Sequence, residues 1–358
     1  MIINNIITFL SSRGWEASET NDTYKIIPPD NFLFESDYAI YLPKTSNKVD
    51  IKPYTDNIIN ILSDLYELSK DDLTVILKDN NTVFRVRVYD DQTETGKISL
   101  NRFEELIERI RLILSDTASF VINKSINSTT FPNEAKKYIN LCNFMQTEKG
   151  SFVAKIQLPS RELIVDDELF HRDEIYSEDI NVKLHDVLEY VNNNIFEGDI
   201  EITEEYLIDN ENLINVKLLK NIKNLFEKAK IKNIEFGFHS LEYSEQINNQ
   251  NITKRKIYKL TKFVSQVEAQ FFDVGDFRFT GQIIELKSKN PEGSKNNVIL
   301  DGLYDNMPMT VSAFLDSDQY KDALEAHKIK QSIEITGIAK RTKSKARFLD
   351  ITNFLIQE

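Results

Sequence analysis

Eight cations in the last quarter of the chain have the types and spacing to meet a polyanion. Lys287, Lys289 and Lys295 fall in the polar stretch 287–295, and Lys340, Arg341, Lys343, Lys345 and Arg347 crowd the stretch 340–347. Lysine and arginine brought to one face neutralise phosphates and release condensed counterions, the main sequence-independent source of nucleic-acid affinity. Single-strand binders add aromatic platforms for the bases, and the third strand of this region offers few: Phe314 lies at its end and Tyr304 in a turn. The plainer alternative is that these side chains solubilise two hairpin tips.

Other chemistry is sparse. Asp276 followed by Glu285-Leu286-Lys287 resembles the core of restriction-type nucleases, where two carboxylates hold Mg²⁺ and the lysine positions the attacking water. Glu-x-Lys also arises by chance in a chain that is 28% charged, so the reading stays non-catalytic. His171, His185, His239 and His327 lie far from one another in sequence, without metal-pair spacing. Cys142, the single cysteine, sits among Ile139, Leu141 and Phe144 as a buried inert thiol would, and rules out an internal disulfide framework. The acidic runs Asp166-Asp167-Glu168, Arg172-Asp173-Glu174 and Glu204-Glu205 lack the glycine and ligand alternation of a calcium loop. No phosphate-cradling Gly-rich loop and no Gly-x-Ser-x-Gly elbow occurs, which excludes the common NTPases, dinucleotide enzymes and serine hydrolases of those types; no cofactor and no metal ligand is assigned.

The elements that must carry the basic stretches follow from periodicity. Phe277 to Leu286, Val298 to Leu303 and Met307 to Phe314 read as three strands, the last two joined by the short corner Tyr304-Asp305-Asn306. Asp316-Ser317-Asp318-Gln319 has the spacing of a capping box and opens a helix carrying Tyr320, Ala323, Leu324 and His327. Strands Ser332 to Ala339 and Phe348 to Ile356 close the chain. The order β-β-β-α-β-β is that of an OB-fold, whose ligand face is made by strands 2 and 3 and flanked by loops 1–2 and 4–5. The two basic stretches are those two loops.

Upstream, the amphipathic start Met1 to Leu10 reads as a helix, with strands Thr23 to Ile27 and Tyr38 to Leu42, a helix Tyr54 to Leu68, and the alternating strand Val83 to Val88. Ser99 caps a helix to Leu114, and the polar run Asn123 to Pro132 ends an N-terminal domain. The middle is expected to hold a helix Glu134 to Phe144, a strand Ser151 to Leu158, helices from Ser177 to Asn193 and Leu213 to Lys230, and strands Lys232 to Leu241 and Arg255 to Phe263. Between those last strands, Glu242 to Gln250 is expected to be an exposed hairpin tip. The expected fold is thus a multi-domain α+β chain: an N-terminal α+β domain over 1–125, a middle α/β domain over 133–265, and an OB-like domain over 275–358.

Formal net charge is −13, yet residues 251–358 hold 17 Lys and Arg against 14 Asp and Glu, so the acidic excess lies in the first 250 residues. No apolar run approaches the roughly 18 residues of a membrane span, and the N-terminus lacks a basic start, so no membrane partner and a cytoplasmic location are expected. The abundance of Asn, Ile and Lys fits AT-rich bacterial coding. Gly14-Trp15, Gly96-Lys97-Ile98-Ser99-Leu100 before a helix, Gln146 to Val153, and the helix with Tyr320, Ala323, Ala326 and His327 resemble a set of bacterial proteins without an established activity. That resemblance implies an anti-phage defence context and transfers no functional residue. The expectation is a non-catalytic binding subunit of a bacterial multi-protein system, contacting DNA, RNA or a protein partner through the OB-like domain. The alternative is a protein-interaction adaptor acting through the acidic first 250 residues.

Overall fold

Alternation in Thr82–Val88 sends Phe84, Val86 and Val88 to one side and Arg85 and Arg87 to the other. In the computed structural model this strand is the middle of a five-stranded antiparallel sheet. The structure describes residues 2–30, 32, 38–44, 52–89, 93, 97–124, 126, 131–145, 152–165, 174–198, 200–249, 251–288, 290–293, 295–304, 307–342 and 345–357. Contacts divide the chain into two units, one of residues 1–123, 130–199 and 220–260, the other of 124–129, 200–219 and 261–358.

The chain begins with α1 (Ile2–Ser11), β1 (Glu16–Glu19), β2 (Thr23–Ile27), β3 (Ile40–Pro43), α2 (Lys52–Tyr66) and α3 (Lys70–Thr74), which runs into a π-helical turn over Val75–Asp79 before β4 (Thr82–Val88). Next come α4 (Leu100–Asn123), α5 (Asn133–Leu141), β5 (Asn143–Met145), β6 (Phe152–Leu158), β7 (Leu163–Val165), β8 (Ile175–Tyr176) and α6 (Ser177–Tyr190), prolonged as a π-helix over Val191–Phe196. Then follow α7 (Glu204–Asp209), α8 (Val216–Lys228), β9 (Ile234–His239), β10 (Ser244–Asn249) and α9 (Lys254–Gln270). The strands β1, β2 and β3 form a small antiparallel sheet, and one core joins Ile26 and Leu42 of that sheet to Ile6, Phe9 and Leu10 of α1 and Leu62 of α2.

The large sheet is ordered β10-β9-β4-β6-β5. The first unit continues past the crossing after residue 123, because β4 pairs along its length with β6 on one side and with β9 on the other. A strand buried on both faces, as β4 is over Thr82–Phe84, must satisfy its backbone groups on both edges, and its partners come from far downstream. Residues Arg255 to Phe263, expected as a strand, lie in α9: Leu260, Phe263, Val264 and Val267 are buried at the three- and four-residue spacing of a helix face. The polar stretch Glu242 to Gln250 is mostly the edge strand β10 rather than a tip. Helix α4 also outruns its expected end at Leu114 by reaching Asn123.

In the second unit the OB-like expectation holds. Strands β11 (Phe271–Lys287), β12 (Asn296–Tyr304) and β13 (Met307–Leu315) precede α10 (Ser317–Ile329), and β14 (Ser332–Thr342) and β15 (Lys345–Ile356) follow it. They close in the order β11-β12-β13-β15-β14, with β13 and β15 parallel and β14 returning to β11. Asp316 caps α10 as its spacing implies, accepting from the amides of Asp318 and Gln319 while the Gln319 side chain accepts from the Asp316 amide. Tyr320, Ala323 and Ala326 plug the barrel core formed by Phe277, Phe279, Leu300, Val311, Ile335 and Phe348. Closure needs Gly337: a Cβ there would stand 2.0 Å from the Asp350 carbonyl oxygen, at an irregularity between β14 and β15.

Candidate nucleic-acid interface

The register of the barrel decides what its ligand face presents. Val298, Leu300, Val311, Ala313, Ala346 and Phe348 are buried, so their neighbours in the alternation point outward. Outward residues line up across three strands: Asn297 beside Phe314, Ile299 beside Ser312 and Arg347, Asp301 beside Thr310 and Lys345. Phe314 is 44% exposed. The Arg347 guanidinium stands over its ring at 5.2 Å from the centroid, a cation–π contact that holds both side chains on the surface. At the far end of the same hairpin Leu303 and Met307 are 67% and 53% exposed.

The loop between β11 and β12 is organised by Asn296, which is fully buried. Its amide donates to the carbonyls of Pro291 (3.2 Å), Gly293 (2.8 Å) and Leu315 (3.3 Å), and its oxygen accepts from the Ser288 hydroxyl at 2.5 Å. One side chain thus folds the loop onto the end of β13, next to Phe314. Lys287 and Lys295 are exposed at the two ends of this loop.

The second basic stretch is not the loop it was expected to be. Lys340 and Arg341 lie in β14, and Lys345 and Arg347 in β15. Lys340 is buried and ion-paired with Glu211; burial pulls its pKa below the ordinary lysine value, against the opposing pull of Glu211. Arg341 donates to the Tyr304 hydroxyl at 3.0 Å and lies 4.9 Å from the Phe277 ring centroid, tying the end of β14 to the β12–β13 hairpin. These two cations belong to the barrel's own structure. Of the eight, Lys287, Lys295 and Lys345 are exposed and Arg347 is half-buried, while Lys289 and Lys343 lie outside the described residues. Asn296 and the pairing of Phe314 with Arg347 escaped the sequence reading, since only the parallel register of β13 and β15 brings the latter two together.

The nuclease-like triplet does not converge. Asp276 and Glu285 are both exposed on β11, and at about 3.3 Å per residue they stand on the order of 30 Å apart along the strand. No group of three or more metal-ligating side chains occurs among the described residues. The histidines have structural partners: His185 Nε2 lies 2.6 Å from Glu245, His239 Nδ1 2.8 Å from the Ser244 hydroxyl, and His327 Nδ1 2.9 Å from the Ile283 carbonyl. Cys142 is half-buried at the edge of the cluster around Tyr138, not fully buried as expected, and burial pushes its thiol up to about 12. His171, Asp166 to Glu168, and Arg172 and Asp173 lie outside the described residues. No described helix is long and apolar enough to cross a membrane. No protein-family model, no curated protein and no solved structure matches this chain.

Proposed function

We propose that the chain is a non-catalytic binding subunit that takes single-stranded nucleic acid on the outward face of β12, β13 and β15, within a bacterial assembly of the anti-phage defence kind. The observation that carries this reading is the exposed Phe314 ring braced by Arg347, with Lys345 one register step away and Lys295 on the adjoining loop. A base stacks on the ring while Arg347, Lys345 and Lys295 meet the backbone phosphates. Stacking of one base contributes about 1–3 kcal/mol, and each phosphate met adds roughly 0.7 to the salt slope for a single strand.

Binding to labelled single- and double-stranded DNA and RNA across a salt series tests it. Phe314→Ala should weaken single-strand binding by about 1–3 kcal/mol without changing the salt slope. The pair Lys345→Glu and Arg347→Glu should weaken it at least tenfold at low salt and flatten the slope. Binding absent at low salt, or untouched by both variants, overturns the reading. A stoichiometric protein partner that survives nuclease treatment would instead favour the adaptor reading, which the acidic excess of the first 250 residues motivates.

A further inference from the structure

At one end of the five-stranded sheet, four separate segments close around a polar recess of about 90 Å³. Asn80 enters from the turn before β4 with a left-handed backbone (φ 54°), Ser160 and Arg161 follow β6, Glu178 lies in the first turn of α6, and Ser240 and Glu242 belong to the β9–β10 turn. The walls are fixed. Arg13 donates to the carbonyls of Ser240 (3.1 Å), Leu241 (3.1 Å) and Tyr243 (3.3 Å), and the Ser240 hydroxyl accepts from the amides of Glu242 and Tyr243 at 3.2 and 3.1 Å. Across the recess the hydroxyls of Thr82 and Ser160 are 2.9 Å apart. These bonds hold the backbone of the β9–β10 turn and the Ser160 hydroxyl in place, while Arg161 and Glu242 stand exposed at the rim.

The lining is unbalanced in a way that points to a ligand. Glu178 is partly buried, accepts from the Ser160 hydroxyl, from the Tyr243 hydroxyl at 3.1 Å and from Asn181 Nδ2 at 3.5 Å, and has a second carboxylate, Glu242, as a charged neighbour. Burial, reinforced by Glu242, pushes the Glu178 carboxyl above the ordinary range. A carboxylate withdrawn from water is stabilised by a cation, and neutral donors supply only part of that. Arg161 also lines the recess, and its Nε and one terminal nitrogen donate to the Asn80 side-chain oxygen once that amide is turned to face it. This orients a planar donor fork suited to a carboxylate.

We propose that this recess binds a small zwitterion of the α-amino-acid class, its ammonium between Glu178 and Glu242 and its carboxylate on Arg161. The site lies wholly within the first unit and is independent of the nucleic-acid reading.

The test is titration of the full chain with glycine, methylammonium and acetate at constant ionic strength, read by calorimetry and ligand-observed NMR. Glycine should bind, with methylammonium and acetate each about tenfold weaker or more, and Glu178→Gln and Arg161→Gln should each weaken glycine about tenfold or more, the scale of one charge-assisted hydrogen bond. Arg161→Gln alters a residue on the loop after β6, so it decides the matter even if Glu178→Gln misfolds. Absence of glycine binding by the folded wild-type chain overturns the proposal. So does undiminished glycine binding in a folded Arg161→Gln chain, and so does methylammonium binding as tight as glycine.

Discussion

His239 shows how a single side chain couples this fold to pH. It is buried at the end of β9, its Nε2 has no hydrogen-bond partner, and burial together with the nearby Arg85 lowers its pKa from 6.5 to about 4. The unfolded chain therefore takes up a proton between those values that the folded chain refuses. The contribution is fully present above pH 6.5 and is lost as pH falls toward 4, to a total of about 3 kcal/mol. Urea midpoints measured from pH 7 to 4.5 should fall steeply in the parent and less so in His239→Asn. His185 carries the opposite sign: Asp186 and Glu245 raise its pKa, so its contribution is present below its ordinary pKa and fades as pH rises through the raised value. The difference between parent and variant isolates His239 from that background. The four histidines were visible in the sequence, but which was buried and which was paired was not, because His239 finds its environment only where β9 lies against β4.

Helices and strands were legible wherever a local pattern ruled them. The capping box at Asp316 and the three-strand, helix, two-strand order survived intact, because short hairpins and a cap are written in adjacent residues. Where tertiary pairing ruled, the local pattern misled. The run 340–347 looks like a polar loop, yet β14 and β15 continue through most of it, since pairing to β11 and β13 gives those residues ladder partners. The sequestration of Lys340 depends on Glu211, which lies 129 residues away. Asn296 is the element-scale counterpart on the candidate face. Asn296→Ala removes its donors from three carbonyls and is expected to lower barrel stability by about 2–3 kcal/mol, read as a lower melting temperature. Because it leaves every cation in place, the same variant should weaken nucleic-acid binding through a loosened loop while preserving the salt slope.

At the scale of the whole molecule, the chain passes from the first unit to the second after residue 123, again after 199 and finally after 260. Neither unit is one consecutive stretch of chain. A fragment ending at residue 125 strips β4 of both neighbours, and one starting at 133 removes the middle of the sheet. Each should yield insoluble or unfolded material by circular dichroism, whereas the full chain should not.

The long separation between β4 and its partners also bears on synthesis. Once β4 has left the ribosome, about 65 further residues must emerge before β6 begins to cover one edge, and about 145 before β9 begins to cover the other. At roughly 5–20 residues per second, the second edge stays open for on the order of ten seconds. During that interval the nascent chain displays an alternating apolar ribbon with unpaired backbone groups, the form that invites pairing with a neighbouring chain. The charged Arg85 and Arg87 on its other side oppose such pairing, since two ribbons joined edge to edge would bring like charges together.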